Sequence, residues 1–274
     1  MRIKDNWLRK NIAFPQDHGS WVFILSPLII GLFIGKRIST TSIIFVIAAM
    51  MAFLIRQPLV SLIKAYSGRR PKKDIQAAWF WILIYGSLIL VFSMLLLFLH
   101  NGFILYLAIP AVPVFGWHLY LVSKRDERRR VVIEILATGV LGLVAPATYW
   151  IGNGSYSPIG WLLWVLVWFQ TATSIVYAYL RLEQRQWTAI PDTRARISSS
   201  IGSISSTSFN LLISFFLGNI SLIPKWVWIA FLVQFIESIY GSLYPAIGKK
   251  PVSIGVRQMI ISVLFTIIFI FCWR

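Results

Sequence analysis

The sequence predicts an all-α, polytopic membrane protein with nine transmembrane helices. Three observations carry that prediction. Nine apolar segments follow one another along the chain, and most reach the roughly 20 residues a helix needs to cross about 30 Å of hydrocarbon. Almost every basic residue falls in alternate gaps between them. A mean hydropathy of +0.74, with 58% hydrophobic and 13% charged residues, leaves no room for a soluble domain.

Residues 1–18 read as an N-terminal segment carrying Arg2, Lys4, Arg9 and Lys10, and residues 19–274 as one transmembrane domain. The first 18 residues hold no apolar run and no small-residue cleavage site, so no signal peptide is expected. The first segment, Trp21–Gly35, is the weakest: it is short, with Pro27 in its middle and Gly19, Gly31 and Gly35 along it. A kinked or partly re-entrant course fits its composition, but the charge pattern beyond it requires a crossing. Thr41–Leu62 is the second, followed by the basic run Lys64–Lys73. Gln76–Leu99 and Phe103–Val122 follow, separated by a short gap and closed by the cluster Lys124–Arg130. Val131–Ile151 and Gly160–Leu182 lead into Arg181–Arg196. Ser199–Leu217, Trp226–Ile247 and Gly255–Trp273 complete the series, with Lys249–Arg257 before the last. The remaining gaps hold only Lys36, Arg37 and Lys225, and Arg274 ends the chain. Lys and Arg stay on the cytoplasmic side, so the N-terminus is expected inside and the C-terminus on the opposite side.

The formal net charge of +17 would suit nucleic acid, but it sits in short loops between spans, where it sets topology beside anionic headgroups. Membrane lipids are therefore the expected partners, and nucleic acid is not. The single cysteine, Cys272, excludes an internal disulfide and any cysteine-based metal site. Three scattered histidines make a poor metal site as well. No metal ligand is assigned.

Nine carboxylates exist, and topology places them by depth. Glu134 opens the fifth span, Glu183 ends the sixth, and Glu237 lies more than halfway through the eighth. Arg56 is similarly deep in the second span, which Lys64 ends; Asp17 and His18 open the first, and His118 lies near the inner end of the fourth. An ionisable group inside a bilayer costs several kcal/mol unless paired or hydrated, so the second, fifth, sixth and eighth helices are expected to converge on one cytoplasm-facing cavity. Glu237, Tyr240, Gly241 and Tyr244 share one helix face. Each group also has a plainer reading. Arg56 and Lys64 snorkel, Glu134 and Glu183 pair with nearby arginines, Glu237 pairs with Arg56, and Gln170, Asn210 and Gln234 join helices. His18 and His118 would then be hydrogen-bonded helix ends.

The loop sequences resemble a known family. Nine spans with polar inner loops after the second and sixth helices is the plan of the UbiA-type intramembrane prenyltransferases, so the resemblance implies a UbiA-like bundle. Tyr120, the Lys124–Arg130 cluster, Gly139, Gly142, Pro146 and Trp150 are similar to their fourth-to-fifth helix passage. Gln170, Ala178, Leu180, Glu183 and Ile190–Pro191 fall at the spacing of the protohaem-farnesyltransferase motif, and Arg70–Pro71 resembles the Arg-Pro after the first aspartate-rich motif. The opening PQDHGSW, Pro15–Trp21, looks like the start of the YwiC-like membrane proteins.

The aspartate-rich motifs of that superfamily are missing. The resemblance implies two Mg²⁺ held by acids of two motifs, yet no carboxylate lies between Phe53 and Pro71, where Arg56, Gln57, Lys64, Arg69 and Arg70 stand instead. The second motif keeps Glu183, with Gln184 where an adjoining acid would stand. Arg and Lys bind phosphate directly, so the expected ligand is an isoprenoid diphosphate or other anionic lipid held without Mg²⁺. The ligand-binding residues would be Arg56, Lys64, Arg181, Gln170, Tyr240 and Tyr244, with Arg128 beside them and the tail against Trp79, Trp81, Trp168 and Tyr177. Were the protein an enzyme, it would be a prenyltransferase-like transferase, with Glu183, Glu237, Glu134 and His18 as catalytic candidates. A transporter or flippase-like carrier using Arg56 and Glu237, and a non-catalytic membrane assembly protein, are the alternatives. Oligomeric state is not legible.

Overall fold

The computed structural model describes residues 9–15, 18–124 and 131–274, and no strand occurs among them. The helices are α1 (Lys10–Ala13), α2 (His18–Ile34), α3 (Thr40–Tyr66), α4 (Asp74–Phe98), α5 (Ala108–Ser123), α6 (Val131–Gly142), α7 (Val144–Asn153), α8 (Ile159–Gln184), α9 (Thr193–Asn219), α10 (Trp228–Leu243) and α11 (Pro251–Trp273). A 3₁₀ segment, Gly102–Leu107, leads into α5. Seven helical stretches among the described residues are long and apolar enough to cross a membrane, and Gly19–Ile34 and Trp228–Leu243 are shorter apolar helices. The protein is a multi-pass integral membrane protein.

Several elements differ from the apolar segments for local reasons. The fifth segment is not one helix: α6 ends at Gly142 and α7 starts at Val144, where Pro146 occupies the first turn. Proline lacks an N–H and crowds the preceding turn, so it is tolerated at a helix start and breaks a helix interior. The eighth segment stops at Leu243, because Tyr244 precedes Pro245 and adopts φ −120° and ψ 85°. Pro27, Pro58 and Pro113 sit inside α2, α3 and α5. Two helix starts use side-chain caps. Ser39 and Ser42 form a capping box on α3, and Asp192 accepts from the Ala195 N–H at 3.2 Å on α9.

Two apolar cores fill the bundle. The first joins α2, α3, α4, the 3₁₀ segment, α6 and α7, with Ile24, Phe45, Phe53, Tyr85, Leu143 and Trp150 buried in it. The second joins α2, α7, α8, α10 and α11, with Ile30, Ala145, Leu166, Phe231, Phe265 and Phe269. α2 and α7 serve both, and they cross almost backbone on backbone. A Cβ on Gly31 would overlap Thr148 Oγ1 and the Ala145 carbonyl oxygen, and one on Gly152 would stand 3.0 Å from the Gly35 Cα. Only hydrogen at these positions lets the helices meet.

Part of the expected N-terminal segment joins the bundle. Ile12 and Ala13 of α1 are fully buried, Ile12 clusters with Leu62, Ala77 and Ala78, and the Ala13 carbonyl accepts from the Tyr85 hydroxyl at 3.2 Å. Arg9 donates to buried Asp74 at 2.7 Å, and Gln57 Nε2 donates to the Asn11 carbonyl at 3.0 Å.

The α2–α7 crossing yields a prediction. Gly31→Leu should overpack the contact, at a cost of at least about 1–3 kcal/mol, and lower the thermal midpoint of the detergent-solubilised protein. Gly255→Ala in α11, where nothing lies within 4 Å of the new Cβ, should leave it unchanged or slightly raised. Size-exclusion chromatography after heating checks both.

Candidate functional site

Arg56 is ten residues from the end of α3, so it lies about 15 Å along the helix from the basic face. Its side chain is half-buried. With His118 of α5 it lines a cavity of about 300 Å³ between α2, α3, α4, α5 and α6. The remaining wall is almost wholly apolar, including Phe45, Ala49, Phe53, Leu96, Leu107 and Phe115, with Ser93 the one hydroxyl. Among the residues that line it, Arg56 and His118 are the groups able to carry positive charge, and none is acidic. Small side chains make the space: Ala48, Ala49, Ala52, Ala108, Ala111 and Ala137 stand where larger residues would fill it. Such a chamber suits a molecule with an apolar body and an anionic end.

The predicted convergence of four ionisable groups does not occur. Glu134 and Glu183 are exposed, and Glu134 accepts from the Tyr179 hydroxyl at 2.8 Å. Glu237 is buried, but its partners are Arg257 and Tyr177, not Arg56. Arg257 donates from Nε at 2.6 Å and from Nη2 at 2.8 Å, a bidentate pair, and Tyr177 donates to Oε1 at 2.6 Å. The Arg257 guanidinium lies 4.1 Å from the centre of the Tyr240 ring. Tyr240 therefore belongs to this second cluster, and Tyr244 stacks beside it with its ring largely exposed.

Arg181 has a different duty from the one its sequence position suggested. It is 3% exposed and donates to the Gln184 side chain at 2.8 Å, the Gly241 carbonyl at 3.1 Å and the Tyr244 carbonyl at 2.7 Å. Gln184 Nε2 also donates to the Gly241 carbonyl, at 2.9 Å. Both side chains thus cap the C-terminus of α10, whose last carbonyls have no intrahelical partner and carry the negative end of the helix dipole. Gln170 donates to Gln234 at 3.4 Å, joining α8 to α10 as expected of interhelical amides, and Asn210 donates to the Phe169 carbonyl at 2.9 Å. Lys64 is two turns nearer the basic face than Arg56 and does not line the cavity.

The expected aromatic wall is dispersed. Trp79 is on the surface, Trp81 stacks on Tyr85, Trp168 stacks on Trp164 over Gly139, and Tyr177 holds Glu237. Asp17, Arg128 and the side chain of His18 lie outside the described residues. Among the described residues, no three His, Cys, Asp or Glu side chains come together.

Two participants escaped the sequence. Arg257 was counted with the loop charges, although the apolar segment beginning at Gly255 already enclosed it. His118 read as a helix-end residue, because nothing local signals that it lines the same cavity as Arg56.

Residues 14–149 match the family described as YwiC-like protein. Over that region, just under half of its length, this integral membrane protein is similar to the YwiC-like family. The matched region contains every residue that lines the Arg56 cavity, from Ile24 to Val144. The chain is also similar to "Uncharacterized protein YwiC" of Bacillus subtilis (strain 168), with 24% identity over 153 residues. That alignment covers 55% of this chain and 59% of the relative, less than two thirds of its length. No solved structure matches.

The Arg181 cap generates a test. Arg181→Gln should strand buried carbonyls at the end of α10, each worth about 1–3 kcal/mol, and lower the thermal midpoint by several degrees. Glu183→Gln, two residues away and exposed, should leave it unchanged. Differential scanning fluorimetry in detergent reads both.

Proposed function

We propose that the protein binds a single-chain amphiphile with an anionic head, an isoprenoid or acyl phosphate, in the cavity between α2, α3, α4, α5 and α6. The observation that carries this reading is that Arg56 and His118 both line an otherwise almost wholly apolar chamber of about 300 Å³. A phosphate accepts two parallel hydrogen bonds from one guanidinium, and His118 adds a donor. The tail would lie towards Leu96 and Leu107, each buried methylene adding about 0.8 kcal/mol.

The proposal carries a topology. Nine crossings arise if Gly19–Ile34 and Trp228–Leu243 both span, and the alternation of basic gaps then puts the basic face in the cytoplasm and Arg274 opposite. A UbiA-like helix arrangement is the architecture the loop motifs favour. Binding, not group transfer, is the function proposed, since the segment Phe53–Pro71 supplies cations where that superfamily places metal-binding acids. Mg²⁺ is not required in this reading.

Mass spectrometry of lipids that co-purify with the protein provides the test. The wild type should carry an anionic isoprenoid or acyl lipid that survives EDTA. Arg56→Gln should reduce its recovery by about tenfold, the effect of losing one charge-assisted hydrogen bond of roughly 1.4 kcal/mol. An identical lipid profile in wild type, variant and an unrelated membrane protein would refute binding. Loss on EDTA treatment with restoration by Mg²⁺ would instead make the site a metal-dependent one.

A further inference from the structure

The polar groups on α8, α9, α10 and α11 form a second system, separate from the Arg56 cavity. On α8, Gln170, Thr173, Ser174, Tyr177, Arg181 and Gln184 recur at helical spacing, and all are buried. On α10, Gln234, Glu237, Ser238 and Gly241 do the same, and on α9 Ser200, Ser203, Thr207 and Asn210. α11 adds Arg257 and Gln258. These faces meet one another. Ser203 and Ser238 hydroxyls are 3.0 Å apart, Ser174 donates to Gln258 Oε1 at 2.9 Å, and Gln170 donates to Gln234 at 3.4 Å. The seam runs from Gln184 at the basic face to Gln170, about 21 Å along α8.

Its two ends differ. At the basic face, Arg257 covers Glu237, with the arginine side chain 40% exposed and the carboxylate 5%. Beyond Gln170 and Gln234, α8 and α10 bury no further polar side chain, and Leu166, Val167, Phe231, Phe265 and Phe269 pack together there. Inside the seam, Gln170 Oε1, Gln234 Nε2, Gln258 Nε2 and Ser200 Oγ are buried and find no hydrogen-bond partner among the described residues. Unmet polar atoms of this kind cost about 1–3 kcal/mol each unless water reaches them. Gln170 and Gln234 join α8 to α10, yet each keeps one amide atom unmet.

We propose that this seam is a proton-access half-channel. Water enters from the basic face, Glu237 is the proton-accepting group, and the phenylalanine layer closes the route to the opposite face. In the closed state Arg257 neutralises Glu237. When Arg257 swings towards the aqueous side, a hydronium ion on that face gives its proton to Glu237 Oε2, leaving a water molecule and a neutral carboxyl that still accepts from Tyr177 at Oε1. The charged and titratable groups about Glu237 are Tyr177 and Arg181 on α8, Tyr240 on its own helix and Arg257 on α11; α9 faces this region with the Ser203 hydroxyl.

Thiol accessibility tests the route in a Cys272→Ser background, which removes the one native cysteine. In sided proteoliposomes, a membrane-impermeant thiol reagent should label Ser174→Cys and Ser238→Cys from the basic face alone, and should not label Val167→Cys from either face. Ser253→Cys, exposed at the start of α11, is the positive control. The double variant Glu237→Gln/Arg257→Gln, which leaves no uncompensated charge, should label at Ser238→Cys about tenfold faster, the effect of removing roughly 1.4 kcal/mol of gate closure. On acidification, infrared difference spectra should show one protonated-carboxyl band that Glu237→Gln lacks. No labelling at Ser174→Cys and Ser238→Cys beside a labelled Ser253→Cys overturns the half-channel. Labelling without a Glu237-dependent carboxyl band overturns the proton assignment.

Discussion

The structure depends on the crossing of α2 over α7. Each helix contributes to both apolar cores, so their contact fixes the α3–α6 side of the bundle against the α8–α11 side. Inside a bilayer, no hydrophobic force drives such a contact, because lipid tails are as apolar as the side chains they would release. Close van der Waals packing has to supply it, and glycine at positions 31, 35 and 152 with Thr148 gives the needed approach. Proline acts on the same element: Pro146 breaks the fifth apolar segment and starts α7, the piece that meets α2.

Charges within the bundle follow one logic with different outcomes. Asp74 near the basic face meets Arg9 at 2.7 Å and Arg70 at 3.8 Å. Glu237 takes a bidentate arginine and a phenol, which satisfies both oxygens. Arg181 has carbonyls and an amide oxygen as acceptors, so a helix dipole stands in for a counter-ion. Arg56 lines an apolar chamber from deep within α3, and that chamber is the candidate binding site.

Period and charge made the helical class, the apolar segments and the alternation of basic gaps legible, since these depend on local composition and on the thickness of the bilayer. Depth was legible too: Arg56 and Glu237 do lie inside helices that pack into the bundle. Direction was not. Whether two groups at the same depth meet depends on the rotation of each helix about its axis, which is set by contacts far apart in sequence. Hence Glu237 was a fair partner for Arg56 on depth alone, and the α10–α11 hairpin gave it Arg257 instead. Arg181 illustrates a second gap. Glu183 and Arg185 stand near it in sequence, yet two of its three acceptors are backbone carbonyls about sixty residues away, and a backbone acceptor leaves no residue-type signature.

The docking of α1 has a consequence for how the chain is made. Arg9 reaches Asp74 across 65 residues, and the Ala13 carbonyl reaches Tyr85 across 72. At a synthesis rate of about 5–20 residues per second, the segment waits roughly 3–13 seconds after its own translation before Asp74 exists. During that interval it has neither the Leu62–Ala78 surface nor the tyrosine hydroxyl to hold it, and it lies among aqueous loops. Its seat forms only once the α3–α4 hairpin has entered the bilayer. The segment translated before α2 thus finds its place only after α3 and α4, and before α8–α11 have been made.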